Sequence, residues 1–211
     1  MLYKKQHFLN DVKEGRHWGC GSYSALLALT DGTRAAEGDR AYETDLNVEM
    51  IYTGSKWKAA GQPIVALSVA DTTNTADAAK DITGTSLSLP SGYFTSGKAL
   101  HWFISGTRST GTNGALTITL YVDDADQLTL TFPANTSVDF TAEIWLIATG
   151  AATQKMHGVL WQETEDCHTI DGTDTTNFSD GAATTVKCRM KHAHANDVAT
   201  ISFAYVELID L

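Results

Sequence analysis

Between positions 116 and 122, Leu116, Ile118, Leu120 and Val122 alternate with Thr117, Thr119 and Tyr121. A period of two puts apolar side chains on one face of an extended chain and hydroxyl-bearing ones on the other. The pattern returns at Leu128, Leu130 and Phe132, and again at Val138, Phe140, Ala142, Ile144 and Leu146. Strand-like runs also cover 63–69, 100–105, 156–164, 184–191 and 198–208, and Leu87–Leu89 ends a strand at the turn Pro90-Ser91-Gly92. About nine strands with turn signals at short intervals predict a β-sandwich or barrel. Strands and helices do not alternate, which argues against a parallel α/β sheet.

Composition agrees. Threonine occurs 29 times in 211 residues, and its β-branched side chain suits a pleated surface. With 43% hydrophobic and 19% charged residues, the chain is neither a helical bundle nor a disordered segment. Its length suits one large domain, or one domain with a small appendage.

The net charge of −10 is unevenly placed. Residues 1–60 carry eight Lys/Arg and eight Asp/Glu, whereas 61–211 carry seven against seventeen. An acidic body without a basic stripe argues against nucleic-acid binding. No run of apolar residues reaches membrane-spanning length, so membrane insertion is not expected. The opening residues Met1 to His7 lack the apolar core of a signal peptide. Three cysteines, Cys20, Cys167 and Cys188, are too few for a disulfide framework and fit synthesis in a reducing cytoplasm.

Three segments follow. Residues 1–37 mix apolar positions with Gly15, Gly19 and Gly21 and predict an extended arm with at most one short helix. Such an arm needs a partner surface. Residues 38–60 predict a small three-stranded β-meander, with turns at Leu46-Asn47 and Gly54-Ser55. Residues 61–211 form the body. The body carries one assembly signal. If Ile144 and Leu146 face the core, Trp145 and Ile147 face out, and Val159 and Trp161 lie opposite Leu160. Strands apolar on both faces predict a covered surface, and these four residues are the candidate oligomer interface.

Candidate chemistry is sparse. Gly92-Tyr-Phe-Thr-Ser-Gly97-Lys98-Ala99 nearly fits a phosphate-binding loop, but Ala99 stands where the metal-binding hydroxyl belongs. A strand-like run follows where a helix N-terminus is needed, so the segment reads as a β-turn. Cys188, His192 and His194 are candidate metal ligands, with Cys167-His168 upstream. The competing reading makes Cys188 a small buried hydrophobe in phase with Val186 and Met190. Asp123, Asp124 and Asp126 share a turn, and Asp171, Asp174 and Asp180 share a loop, without the spacing of a calcium loop. Asp is equally a turn former. Glu163 and Glu165 do not by themselves mark a glycosidase pair. Asn135 and Asn177 begin glycosylation acceptor triplets, which matter only on a secretory route. No catalytic residue and no cofactor is assigned, and no enzyme is expected.

Two stretches resemble known proteins. Gly38-Asp-Arg-Ala-Tyr-Glu-Thr-Asp-Leu-Asn-Val-Glu-Met-Ile-Tyr-Thr-Gly-Ser-Lys-Trp57 resembles a short module near the start of tailed-bacteriophage fibre and other virion proteins, with Asn47 where glycine is common. Residues 62–211 resemble the jelly-roll body of such proteins. That likeness runs through 87–92, Gly97-Lys-Ala-Leu100, 114–120, Thr169-Ile-Asp171, 184–188 and 200–208. The resemblance implies an all-β protein: a jelly-roll β-sandwich preceded by the small meander and the arm. It implies a virion structural protein, commonly a homotrimer, joined to other virion proteins through its N-terminal region. Displayed outward as a fibre or spike subunit, such a protein contributes to host-surface attachment, with glycan as a partner. Candidate contact loops are 106–114, 123–127 and 171–181. The alternatives are a capsid decoration or head-fibre protein and, less favoured, a glycan-degrading tail spike.

Overall fold

Antiparallel pairing accounts for most of the chain. The computed structural model describes residues 4–5, 17–30, 35–109, 114–132, 138–150, 153–162, 165–174 and 183–210. The N-terminal unit contains β1 (Lys4–Lys5), β2 (His17–Gly21), α1 (Tyr23–Thr30), β3 (Arg40–Glu43), β4 (Val48–Tyr52) and β5 (Trp57–Ala59). Its sheet runs in the order β1-β2-β3-β4-β5, with β2 parallel to β3 and the other pairs antiparallel.

The three strands expected over 38–60 form, but their sheet does not stop there. Residues 17–21, expected within an extended arm, add a strand to its edge. The reason is burial. Tyr23, Leu26 and Leu29 recur along one side of α1 and are enclosed. Ser22 Oγ accepts the Ala25 amide and caps the helix start. Trp57, 1% exposed, donates its indole N–H to the Leu26 carbonyl at 3.0 Å and ties meander to helix. Asn47 takes a φ of 62° at the β3–β4 turn, a conformation that Asn tolerates in place of glycine. Both carboxylate oxygens of Glu43 accept amides of that turn, Asp45 and Leu46, at 2.7 Å.

The body contains β6 (Ile64–Ser68), β7 (Thr72–Asn74), β8 (Lys80–Asp81), β9 (Leu87–Leu89), β10 (Lys98–Ser109), β11 (Leu116–Val122), β12 (Ala125–Phe132), β13 (Val138–Ala148), β14 (Gln154–Gln162), β15 (Glu165–Asp174), β16 (Thr184–His192) and β17 (Val198–Asp210). One sheet has seven strands, in the order β15-β14-β13-β10-β17-β6, with β7 also on β17. The other has five, in the order β12-β11-β16-β8, with β9 also on β16. Every pairing in both sheets is antiparallel. The protein is thus all-β, with a body of two antiparallel sheets packed as a sandwich.

The alternation seen in the sequence sets the inner faces. Leu100, Trp102 and Ile104 of β10 and Ile144 and Leu146 of β13 meet Ile118, Leu120, Leu130 and Met190 of the facing sheet. Phe132 and Phe140 join the sheets with ring centroids 4.8 Å apart. Each large side chain so enclosed contributes about 1.5–3 kcal/mol, and slipping a strand by one residue would turn threonines inward. That penalty fixes the register.

Strands β7 and β8 lie in the segment 71–81, which shows no strand-like alternation in the sequence, and β15 partly overlaps the expected loop 171–181. Polar edge strands carry no apolar alternation, and their polarity protects a sheet margin from further pairing. Residues 175–181 of that loop, and 110–113 of the loop 106–114, lie outside the described residues.

Candidate functional site

The outward face of the seven-stranded sheet holds the largest group of partly exposed aromatic side chains among the described residues. Register builds it. On β10, His101 and Phe103 point away from the core because Leu100, Trp102 and Ile104 point into it. His101 lies opposite Trp145 of β13 and Glu207 of β17. Phe103 lies opposite Glu143 and Tyr205 in the same way. His157 continues the first row beside Trp145, and Val159 continues the second beside Glu143.

The rings touch. His101 stacks on Trp145 at 4.0 Å between centroids and 15° between planes. Phe103 stacks on Tyr205 at 5.3 Å, and Phe203 meets Tyr205 edge-on at 5.6 Å. The two carboxylates flank the imidazole, with Glu207 3.2 Å from Nδ1 and Glu143 3.1 Å from Nε2. Burial raises the Tyr205 pKa, with Glu207 and Glu143 adding to the shift. The phenol therefore stays protonated at neutral pH. Leu67 on β6, 55% exposed, lies opposite Tyr205 and carries the face toward the sheet edge.

All four residues expected at an oligomer interface, Trp145, Ile147, Val159 and Trp161, stand on this face. Trp161, 37% exposed, borders a hollow of about 410 Å³ shared with Ser105, Thr107, Asp139, Thr141 and Ser202. Sequence reasoning missed His101, Phe103, Glu143, Tyr205 and Glu207. Their signal was the second phase of the 100–105, 138–146 and 198–208 alternations, in which positions 101, 103, 143, 205 and 207 are aromatic or charged rather than threonine.

The opposite outer face belongs to the five-stranded sheet and is hydrophilic. A hollow of about 440 Å³ is lined by Thr117, Thr119, Tyr121, Asp126, Thr129 and Lys191, among others. Thr119 and Thr129 share a hydroxyl–hydroxyl hydrogen bond of 3.0 Å. The Arg189 guanidinium lies 4.4 Å from the Tyr121 ring centroid. At the rim, Asp124 receives Lys187 at 2.8 Å and Arg189 at 2.9 Å, and Lys187 in particular holds its carboxyl below the usual range. The Asp123–Asp126 cluster is a hairpin turn, with φ of 48° at Asp123 and 64° at Asp124. Its acidic groups are engaged by basic side chains and by the Thr185 amide.

The metal candidates lie apart in character. Cys188 is fully enclosed among Val186, Met190 and the facing sheet, and burial pushes its thiol pKa far up. His192 ends the same strand and is 2% exposed, whereas His194 is exposed in the following turn. Among the described residues, no three His, Cys, Asp or Glu side chains gather as a metal would need. The side chains of Cys20, Cys167 and His168 lie outside the described residues, as do Asn135, Asn177 and Glu163. The segment resembling a phosphate loop is a turn, with left-handed glycines at Gly92 and Gly97, and Lys98 opens β10. No described helix is long and apolar enough to cross a membrane.

No protein-family model matches the sequence. No curated protein matches it either. Similar solved structures include the EclA C-terminal domain, described as a sugar-binding protein, at 14% identity, 66% of this chain, 78% of that chain and a TM-score of 0.32. A second is the CBM2 module of the evolved Dit of Lactobacillus casei BL23 phage J-1, at 12% identity, 60% and 69% coverage and a TM-score of 0.37. A third is the Lotus tetragonolobus seed lectin, at 10% identity, 72% and 94% coverage and a TM-score of 0.38. Likeness this distant reaches no individual residue of either face.

Proposed function

We propose that this chain is a structural subunit of a tailed-phage virion. It is displayed outward as a fibre or spike component and contributes to attachment at the host surface. The aromatic outer face of the seven-stranded sheet is the observation that carries this reading. Trp145, Phe103, Tyr205 and Trp161 form a surface of the composition found at the centre of protein interfaces. The resemblance of 38–57 and 62–211 to phage virion proteins supports the same reading. The chain associates with two further copies through Trp145, Ile147, Val159 and Trp161, and its N-terminal unit meets other virion proteins. With that sheet turned inward, the five-stranded sheet faces out. Its hollow of threonine hydroxyls, Tyr121 and Asp126 offers hydrogen bonds and one ring to a polyhydroxylated ligand such as a host-surface glycan.

Gold-labelled antibody on intact virions tests the assignment. Label at the tail or its tip is the expected result. Label over the head would replace attachment with a decoration role. Absence of the protein from purified particles would overturn the virion reading.

A further inference from the structure

Where the N-terminal unit meets the body, Lys98 and Asp210 face each other as partners in register, at the start of β10 and the end of β17. Lys98 Nζ lies 3.4 Å from Asp210 Oδ1, and both side chains are only 2% exposed. Neither atom has a hydrogen-bond partner of acceptable geometry. The other carboxylate oxygen, Oδ2, accepts the Ala59 amide at 2.6 Å. Aromatic rings wall the pair off. Nζ is 3.7 Å from the Tyr93 ring centroid and 5.5 Å from that of Tyr23, and these two rings meet edge-on at 4.6 Å.

An ion pair is a poor description of such a site. A buried pair repays its desolvation only with good geometry and further hydrogen bonds to the remaining protons and lone pairs. Here an ammonium would bring three donors and find one close ring face and one carboxylate oxygen out of hydrogen-bond geometry. We propose that Lys98 and Asp210 are joined by an intramolecular isopeptide bond, formed spontaneously in the folded chain. The chemistry needs nothing from outside. A proton passes from the Lys98 ammonium to the Asp210 carboxylate, which leaves a neutral amine beside a neutral acid. The Nζ lone pair attacks Cγ while the Ala59 amide polarises the carbonyl through Oδ2. The C–Oδ1 bond breaks, and Oδ1 leaves as water with the acid proton and one amine proton. An amide remains between Nζ and Cγ, and no redox change occurs. Burial lowers the Lys98 pKa and so favours the nucleophilic form, as for other lysines activated by desolvation. The product has no buried charge. It pins the adjacent strands β10 and β17 of the seven-stranded sheet at the end where Ala59 of β5 docks.

Intact-mass spectrometry of the purified, denatured wild-type chain decides the matter. The expected mass is one water, about 18 Da, below that of the sequence, as loss of one water per amide formed requires. Lys98→Ala and Asp210→Ala should each restore the full mass. A wild-type chain at full sequence mass overturns the proposal, and so does a deficit that persists in both variants. If the variants do not accumulate, a tryptic digest of the wild type still decides. A branched peptide joining 81–108 to 192–211 supports the bond, because an acylated Lys98 resists cleavage. Separate linear peptides 81–98, 99–108 and 192–211 exclude it.

Discussion

The His101 imidazole lies flat against the Trp145 indole, 4.0 Å away across the β10–β13 pair, and reaches a carboxylate from each ring nitrogen. One residue thus ties three strands together on a face that sequence periodicity marks merely as outward. Replacing His101 with alanine removes two hydrogen bonds to carboxylates and the cover over one indole face. It also leaves the Glu143 and Glu207 carboxylates without the imidazole they share. The expected cost is about 1–3 kcal/mol, with a red shift of tryptophan fluorescence as Trp145 gains water. Chemical denaturation followed by fluorescence checks both, and an unchanged midpoint would remove His101 from the account of this face.

Association through the same face gives the second prediction. Light scattering of the full chain at micromolar concentration should report a trimer. Trp145→Glu combined with Val159→Glu puts two charges at the middle of the contact, where an unpaired charge must be desolvated. The variant should elute as a monomer with an unchanged circular dichroism spectrum. A wild-type monomer, or a variant that remains trimeric, would place the contact elsewhere.

Where the apolar side chains alternate, the fold could be read directly. Leu116 to Val122 and Val138 to Leu146 told both the strand and the buried face, because a one-residue slip exchanges core for solvent. The outward placement of Trp145 and Trp161 followed from the same rule. Three things were hidden. β15 is a polar edge strand, and its stability comes from a neighbour rather than from its own pattern. The joining of 17–21 to the meander depends on a parallel pairing across α1, which no local signal encodes. His101, Glu143 and Glu207 meet only because three strands far apart in sequence align in register. The Lys98–Asp210 pair has the same origin, since 112 positions separate its members.

Two glycines should respond differently to the same substitution. A Cβ at Gly106 would lie 2.2 Å from the Thr200 carbonyl oxygen, next to the irregularity in the β10–β17 register. A Cβ at Gly158 would meet the Leu130 side chain at 2.5 Å and the Leu128 side chain at 3.0 Å. Backbone in a sheet cannot yield without loss of pairing, whereas a leucine can change rotamer. Gly158→Ala should cost about 1–3 kcal/mol, as overpacking generally does, and Gly106→Ala should cost more. Thermal melts of the two variants give the order, and a reversed order would show that the bulge is pliable.

Cys188 should be inert in the folded protein. Its thiol is fully buried, and burial raises its pKa, so little thiolate exists to react. Alkylation with iodoacetamide followed by peptide mapping should leave Cys188 unmodified in buffer and modified in denaturant. Labelling under native conditions would mean that the sandwich opens locally at β16.

His192 supplies the pH dependence. Its ring is 2% exposed at the end of β16, Nε2 has no partner, and burial lowers its pKa below the ordinary 6.5. As pH falls, the unfolded chain therefore takes up the proton first. The neutral ring's contribution to stability is complete above the unfolded pKa and is lost as pH falls through the lower folded value. A hydrogen bond with the Asn74 backbone and then the Asp197 carboxylate oppose the shift, and Arg108 assists it, so the loss depends on those neighbours remaining in place. The wild-type melting temperature should drop between about pH 7.5 and about pH 5, the range in which histidine changes charge. His192→Gln carries no titrating group and should show a shallower decline over the same range, whatever its stability at neutral pH. Parallel declines would assign the acid sensitivity to other groups and leave His192 as a packing residue.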